Sequence, residues 1–309
     1  MKEKIKHITR NLWKSKTAYL FLLPLMVGII CFCYYPPIMA IIRSFTNWEV
    51  GKSNEELVFS LDNYRQLFSD PVFLDAIPTM LYINIPKMII GIVAPLVMAE
   101  LIYWVSNKKM SATYRVLILL PIITPGVIGT YIWTYIYRID GILNKLLALF
   151  QINTEISWLN NADTVIPAII FMGFPWVGGT NVLIYLSGLM NIPTELTEAA
   201  RLDGATTMRI IFKIHLPSIV GQIRYFFVFG IIGAFQDYGI QVVLDNSGLI
   251  SKDIVNSAIM VPGYYMYVQA FSNGNMGYAC AIGTLLFLTV LIITVITFKV
   301  INAQKFDLD

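Results

Sequence analysis

Charged side chains are scarce in this chain. Only 13% of its 309 residues are Asp, Glu, Lys or Arg, and 57% are hydrophobic. A soluble domain carries roughly 25% charged residues. The few charges are bunched between long apolar runs, a pattern typical of a chain whose solvent is lipid. The composition therefore excludes an ordinary soluble domain and predicts a protein that crosses a membrane several times.

Residues that catalyse reactions or bind metals are also scarce. The two histidines, His7 and His215, are isolated, and Cys31, Cys33 and Cys280 lie in apolar runs without the polar partners of a metal site. No Ser/His/Asp or Cys/His arrangement is plausible, and no Gly-x-x-x-x-Gly-Lys-Ser/Thr loop is present to hold phosphates. No basic stripe suggests nucleic-acid binding. We expect a non-enzymatic chain that binds no cofactor or metal and hydrolyses no ATP itself.

Six apolar runs are long enough to cross a bilayer as helices, which takes roughly 20 residues. They are residues 18–42, 79–105, 116–137, 164–190, 225–243 and 276–298. The first run is too long for a signal peptide and lacks a small-residue cleavage site, so we interpret it as an uncleaved span. Lys and Arg concentrate at the N-terminus, in the second and fourth loops and at the C-terminus, which places both termini in the cytoplasm.

These features predict one membrane domain flanked by short cytoplasmic ends. Its parts are a cytoplasmic N-terminus (1–17), a peripheral first helix (18–45), an extracellular loop (46–78), a core (79–300) and a cytoplasmic tail (301–309).

The loop between the fourth and fifth spans, residues 191–217, carries the signals of two short helices separated by a turn. Glu198 suits the positive end of a helix dipole. Gly204 suits a helix C-terminus that requires a positive φ, and Thr206 or Thr207 can cap a second helix. Such a segment can be an amphipathic helix at the membrane surface with no partner.

The residues of this loop, however, resemble the cytoplasmic EAA loop of binding-protein-dependent ABC importers. Seven positions match that pattern at its spacing: Glu198, Ala199, Ala200, Gly204, Ile214, Leu216 and Pro217. Asp203 lies in Arg201–Ala205, which is similar to the variant typical of carbohydrate permeases. Further segments resemble maltose-transporter-type and glycerol-phosphate-type permeases: 18–24, 44–48, 61–64, 67–73, 119–121, 270–271 and 277–279. The chain departs from the family after the fifth span, where Asp245–Ile250 replaces a glycine-rich stretch.

The resemblance implies an all-α permease subunit of the type I importer fold, similar to methionine importers, with five core helices after one peripheral helix. It implies that the eight residues Glu198 to Pro217 named above form a coupling helix that docks on an ATPase. The implied partners are a second homologous permease, an extracellular solute-binding protein and two ATP-binding subunits, which hold ATP and Mg. The implied function is translocation of a sugar or oligosaccharide across the bacterial cell membrane by alternating access.

Polar side chains inside membrane spans are costly and are therefore candidates for the substrate pathway. Sugar sites combine aromatic faces with amides and carboxylates, and the candidates of this kind are Trp133, Trp176, Asn181, Gln236, Asp237, Tyr238 and Gln241. We expect Asp237 well inside the fifth helix, on the same face as Gln241. Each of these residues can instead join helices or anchor the chain at the interface.

Two charged residues interrupt the second apolar run. Lys87 and Glu100 lie about 20 Å apart along a helix and do not pair with each other. Glu100 is expected to reach the membrane interface, and Lys87 has no predicted role.

Two alternative functions remain open at this point. One is a secondary transporter driven by protons or sodium, with Asp237 as the coupling carboxylate. The other is an importer of the same class for a polyamine, phosphate or peptide.

Overall fold

The computed structural model of the protein describes residues 16–152 and 155–303, so most of the predicted cytoplasmic ends, 1–17 and 301–309, lies outside the described residues. Within that part of the chain the ordered elements are helical, apart from one isolated bridge between Thr46 and Phe59. The all-α prediction is confirmed. In chain order the α-helices are α1 (Lys16–Ile29), α2 (Tyr35–Arg43), α3 (Asp62–Ser69), α4 (Pro71–Tyr103), α5 (Lys108–Leu117), α6 (Gly126–Ile136), α7 (Ile142–Leu149), α8 (Ala162–Phe171), α9 (Gly179–Met190), α10 (Thr194–Leu202), α11 (Thr207–Ile210), α12 (Leu216–Ser218), α13 (Val220–Gln236), α14 (Gly239–Asn246), α15 (Lys252–Ala258), α16 (Pro262–Tyr267) and α17 (Met276–Ala303).

Within the described residues, four stretches are long and apolar enough to cross a membrane: Tyr19–Arg43, Pro71–Tyr103, Val220–Asn246 and Met276–Thr297. The third predicted run is a pair of helices bent by 87°. The fourth predicted run forms two short helices, α8 and α9, because Gly173 takes a positive φ of 91° and the chain turns before Gly179. The six apolar runs thus become four long stretches, a bent pair and a split pair.

The chain divides into two compact units. The first contains residues up to Ser69 together with Met266–Leu285. In this unit α1 continues through a π-helical turn into α2, which has two prolines in its first turn. The Asn63 amide donates to the carbonyls of Ser44 and Thr46 at 2.8 and 2.9 Å. A side chain at Gly277 would meet the Thr46 carbonyl oxygen, so glycine is required there.

The second unit contains Asp70–Tyr265 and the chain from Leu286 onward. Its longest element is α4, a helix of 33 residues that begins at Pro71 rather than at Thr79, because the Asp70 side chain caps it by accepting from the Val72 N–H at 3.0 Å. Helices α4, α9 and α13 share a buried core, in which Ala99, Val182 and Tyr185 are fully buried. Small residues permit such close packing in membranes.

Gly179 and Gly230 lie at close contacts between helices of this second unit. A Cβ on Gly179 would lie 2.2 Å from the backbone oxygen of Ile118, and a Cβ on Gly230 would lie 2.6 Å from Met88 Cγ. The Met88 side chain therefore fills the space beside Gly230, whereas nothing among the described residues lies within 4 Å of a Cβ on Gly233.

Candidate functional site

Residues 191–217 form two helices separated by a turn, as the sequence predicts. The first helix, α10, ends before Gly204, which has a φ of 78°. The Thr206 hydroxyl then accepts from the Arg209 N–H at 3.4 Å and caps α11. A π-helical turn, Ile211–His215, follows directly before α12. Pro217 has no N–H to donate, which favours a locally widened turn.

The motif residues of this loop fall into two groups. Glu198, Ala199, Asp203 and Gly204 are exposed and Ala200 is half-buried, so the first half of the motif faces outward. In the second half, Ile214 and Leu216 pack against the buried core of α4, α9 and α13, and Pro217 is exposed. The loop is therefore anchored at one end and open to a partner at the other.

Large apolar side chains are exposed along the same loop. Leu202 is 90% exposed, and Leu196, Met208 and Phe212 are each more than half exposed. Exposed apolar surface outside the membrane is typical of an interaction site. It lies next to the outward-facing half of the motif.

The anchored end of the loop contains a buried contact that the sequence did not reveal. His215 is fully buried, and its Nδ1 lies 3.1 Å from both carboxylate oxygens of Glu100. The prediction that Glu100 reaches the interface is wrong, because this carboxylate is only 7% exposed and also accepts from Trp104 Nε1 at 3.2 Å. Nor is His215 isolated. The two residues are far apart in sequence, so no local pattern pairs them.

The fifth span is interrupted where the sequence placed a continuous helix. Helix α13 ends at Gln236, and Asp237 has an extended backbone before α14 begins at Gly239. The prediction that Asp237 lies inside a helix and shares a face with Gln241 is therefore wrong. Gln241 is buried on α14, whereas Gln236 and Tyr238 are exposed.

Helix α4 supplies partners for this interruption. Lys87 Nζ lies 2.7 Å from Asp237 Oδ2, and the side chains are 25% and 37% exposed. One turn away, Asn84 Nδ2 donates to the Ala234 carbonyl at 2.6 Å. Lys87 thus neutralises the carboxylate, and Asn84 satisfies a carbonyl that the helix end leaves without an intrahelical partner.

The aromatic candidates form a second group of side chains. Phe171 lies between Trp133 and Trp176, with ring centroids 5.9 and 5.2 Å away. Trp176 has a φ of 57°, and Asn181 follows on α9. Trp133 also lines an apolar cavity of about 590 Å³ that reaches Val105. Helix α14, which follows the interruption, packs against α6, which carries Trp133.

Residues 76–306 match the family described as the inner membrane component of binding-protein-dependent transport systems. The chain belongs to this family. Among curated members of the family, a probable ABC transporter permease of Bacillus subtilis, YesP, is 30% identical over 94% of this chain and 92% of its own length. AraP, the arabinooligosaccharide transport permease of the same organism, is 29% identical over 96% and 92%.

Solved structures of ABC importers share the fold of this permease. A bacterial importer of the acidic polysaccharide alginate superposes with a TM-score of 0.80 at 21% identity, covering 95% of this chain and 98% of that one. A second structure of an alginate transporter, with a TM-score of 0.79, includes a periplasmic protein bound to an alginate pentasaccharide. The MetNI methionine importer matches with a TM-score of 0.50 over 75% of this chain. The predicted type I importer permease fold is confirmed.

Proposed function

We propose that this permease translocates a sugar or oligosaccharide by alternating access, driven by ATP that two partner subunits hydrolyse. Loop 191–217 is the docking segment for one of these ATPases, and both chain termini lie with it in the cytoplasm. A second homologous permease completes the pathway, and an extracellular solute-binding protein delivers the sugar. ATP and Mg are held by the partners.

The outward-facing loop carries this proposal. It places Glu198, Ala199 and Gly204 beside exposed apolar side chains, of which Leu202 is the most exposed at 90%. A docking helix would bury this surface against its partner. A helix on the membrane surface would bury it in lipid, and membership of the binding-protein-dependent family is what favours docking. The basic residues of the loop support its cytoplasmic location.

The sugar class is supported by relatives and by residue chemistry. AraP is named for arabinooligosaccharides, and the alginate importers carry a polysaccharide. In this chain Trp133, Trp176 and Asn181 supply aromatic faces and an amide, while Gln236, Asp237, Tyr238 and Gln241 surround the interruption after α13. Buried polar atoms of Trp176 and Gln241 have no hydrogen-bond partner among the described residues. We propose that these seven side chains line the substrate pathway.

Asp237 is poorly suited to the ion-coupled alternative. A coupling carboxylate must exchange a proton or sodium ion, and here the Lys87 ammonium lies 2.7 Å from it. A proton or sodium ion would have to displace this ammonium to reach the same carboxylate oxygen. Membership of the binding-protein-dependent family also supports an ATP-driven importer.

Uptake by the purified complex tests the proposal. The chain is reconstituted in vesicles with its second permease and ATPases, and the binding protein is added with labelled arabinotriose, maltotriose or raffinose. We expect uptake with MgATP and none with a proton or sodium gradient alone. Uptake driven by a gradient without ATP would contradict the proposal.

A variant of the loop tests docking separately. Leu202→Asp places a charge in the apolar contact and should reduce recovery of the ATPase with the permease by about tenfold. Leu149→Asp is the control, because Leu149 is 77% exposed on α7, outside the loop. Equal recovery of the ATPase with both variants would contradict docking at this loop.

A further inference from the structure

A compact cluster joins the end of α4 to both helices of loop 191–217. The cluster consists of Glu100, Tyr103, Trp104, Arg201 and His215, and is called here the Glu100 cluster. The His215 ring stacks on Trp104, with centroids 5.7 Å apart, and meets the edge of Tyr103 at 5.0 Å. The Arg201 guanidinium lies 5.0 Å from the Trp104 ring centroid. Arg201 comes from α10 and His215 from the turn after α11, so each half of the loop touches α4.

The hydrogen bonds of the Glu100 cluster oppose movement of loop 191–217 relative to α4. A carboxylate offers only acceptors, so His215 donates to Glu100 from Nδ1, at 3.1 Å from each oxygen. Both side chains are almost completely buried. If the loop moved without α4, the buried His215 donor would lose its acceptor and Glu100 would keep only the bond from Trp104 Nε1, which is costlier than moving both elements together.

The same helix is attached to α13 at a second place. Lys87 and Asn84 bind Asp237 and the Ala234 carbonyl at the end of α13. This contact lies 13 residues from Glu100, about 20 Å along the helix. Helix α4 therefore links the loop to the interruption beside the proposed pathway.

We propose that Glu100 and His215 are positioning residues that make α4 move with loop 191–217, so that displacement of the loop reaches the Lys87–Asp237 contact. The inference rests on the proposed function, in which ATP moves the loop. To the proposed function the inference adds that α4 receives the movement and that the Glu100–His215 contact transmits it.

Distances between spin labels on the full reconstituted complex test this inference, with MgATP and vanadate as the probe. One label pair joins position 195 in the loop to position 97 on α4; Glu195 and Val97 are both exposed. The reference pair joins position 195 to position 246, since Asn246 is exposed beyond the interruption. In the wild-type background we expect the 195–246 distance to change by about 2 Å or more, a size typical of helix shifts, and the 195–97 distance to stay constant.

Removing the contact should release the loop from α4. In Glu100→Ala/His215→Ala the 195–97 distance should change with nucleotide. This double variant removes both members of the buried pair, although Trp104 Nε1 also loses the acceptor that Glu100 provides. Glu100→Gln should behave as the wild type, because its amide oxygen still accepts from Nδ1. Glu100→Met keeps the length of the side chain but offers no oxygen acceptor, so a 195–97 distance that changes in this variant and not in Glu100→Gln separates a transmitting hydrogen bond from simple packing.

The outcomes also separate the inference from the proposed function. A constant 195–246 distance in both the wild type and the double variant, in which the loop is released from α4, would mean that ATP does not move the loop, and the proposed function would fail. If both the 195–246 and the 195–97 distances changed with nucleotide in the wild type, the loop would move without α4, and only the inference would be refuted. A constant 195–97 distance in the double variant would refute it as well.

Discussion

Neutralising Asp237 alone should destabilise the protein more than neutralising it together with Lys87. Lys87 is the central residue of the 33-residue helix α4, about 24 Å from either end. Asp237→Asn leaves its ammonium without the carboxylate 2.7 Å away. A lone charge at the bilayer centre costs roughly 2.5–3.5 kcal/mol on insertion scales.

The partial exposure of both side chains reduces this cost. Lys87 is 25% exposed and Asp237 is 37% exposed, so water screens part of the charge. We therefore expect Asp237→Asn to lose about 1–2 kcal/mol. The double variant Lys87→Gln/Asp237→Asn keeps two amides that can hydrogen-bond to each other, and its loss should stay below about 1 kcal/mol.

Thermal unfolding of the purified permease measures the difference. One kcal/mol corresponds to roughly 2–4 °C in Tm for a chain of this order of size, so Asp237→Asn should melt a few degrees below the double variant. Asp253→Asn, an exposed carboxylate on α15, is the control and should leave Tm nearly unchanged. If the double variant lost as much stability as the two single variants together, the coupling of the two charges would be refuted. A changed transport rate in Asp237→Asn alone would therefore reflect the unpaired Lys87 ammonium as well as any lost contact with the sugar.

Two further predictions concern topology and packing. In a cysteine-free background, a cysteine at Ser53 should react with an impermeant thiol reagent from outside, and a cysteine at Leu202 should react only after permeabilisation. Both positions are exposed. The reverse labelling would overturn the predicted orientation. Gly179→Ala would place Cβ 2.2 Å from the Ile118 carbonyl oxygen and should lower stability by about 1–3 kcal/mol. Its control is Gly178→Ala, whose Cβ would meet only a side chain at 3.3 Å; equal Tm values would contradict the close contact.

The sequence predicts those features that depend on local composition. A helix that crosses lipid must be long and apolar, so the first, second, fifth and sixth spans can be recognised from the hydropathy of the sequence. The turn at Gly204 and the cap at Thr206 follow from residue types with specific backbone needs. The split of the fourth run also had local signals, in Gly173 and Gly178, which a criterion of length alone overlooks.

Features that depend on which helices touch could not be predicted in this way. Glu100 and His215 are separated by 115 positions, and Lys87 and Asp237 by 150. Hydropathy marks each as an unusual charge but does not say which partner it meets. The interruption at Asp237 is less hidden, because Gln236 precedes it and Gly239 follows it, but apolar residues continue the run on both sides and no proline marks the break.

The length of α4 has a consequence for both sides of the bilayer. Its 33 residues span about 50 Å, whereas the hydrocarbon core is about 30 Å thick. An average tilt near 20° shortens the projected length only slightly, so several residues of this helix stand in the headgroup region or in water. A single helix therefore reaches both aqueous faces. Its interior prolines, Pro78, Pro86 and Pro95, each remove a backbone hydrogen bond and mark the places where a force along it could be absorbed by bending.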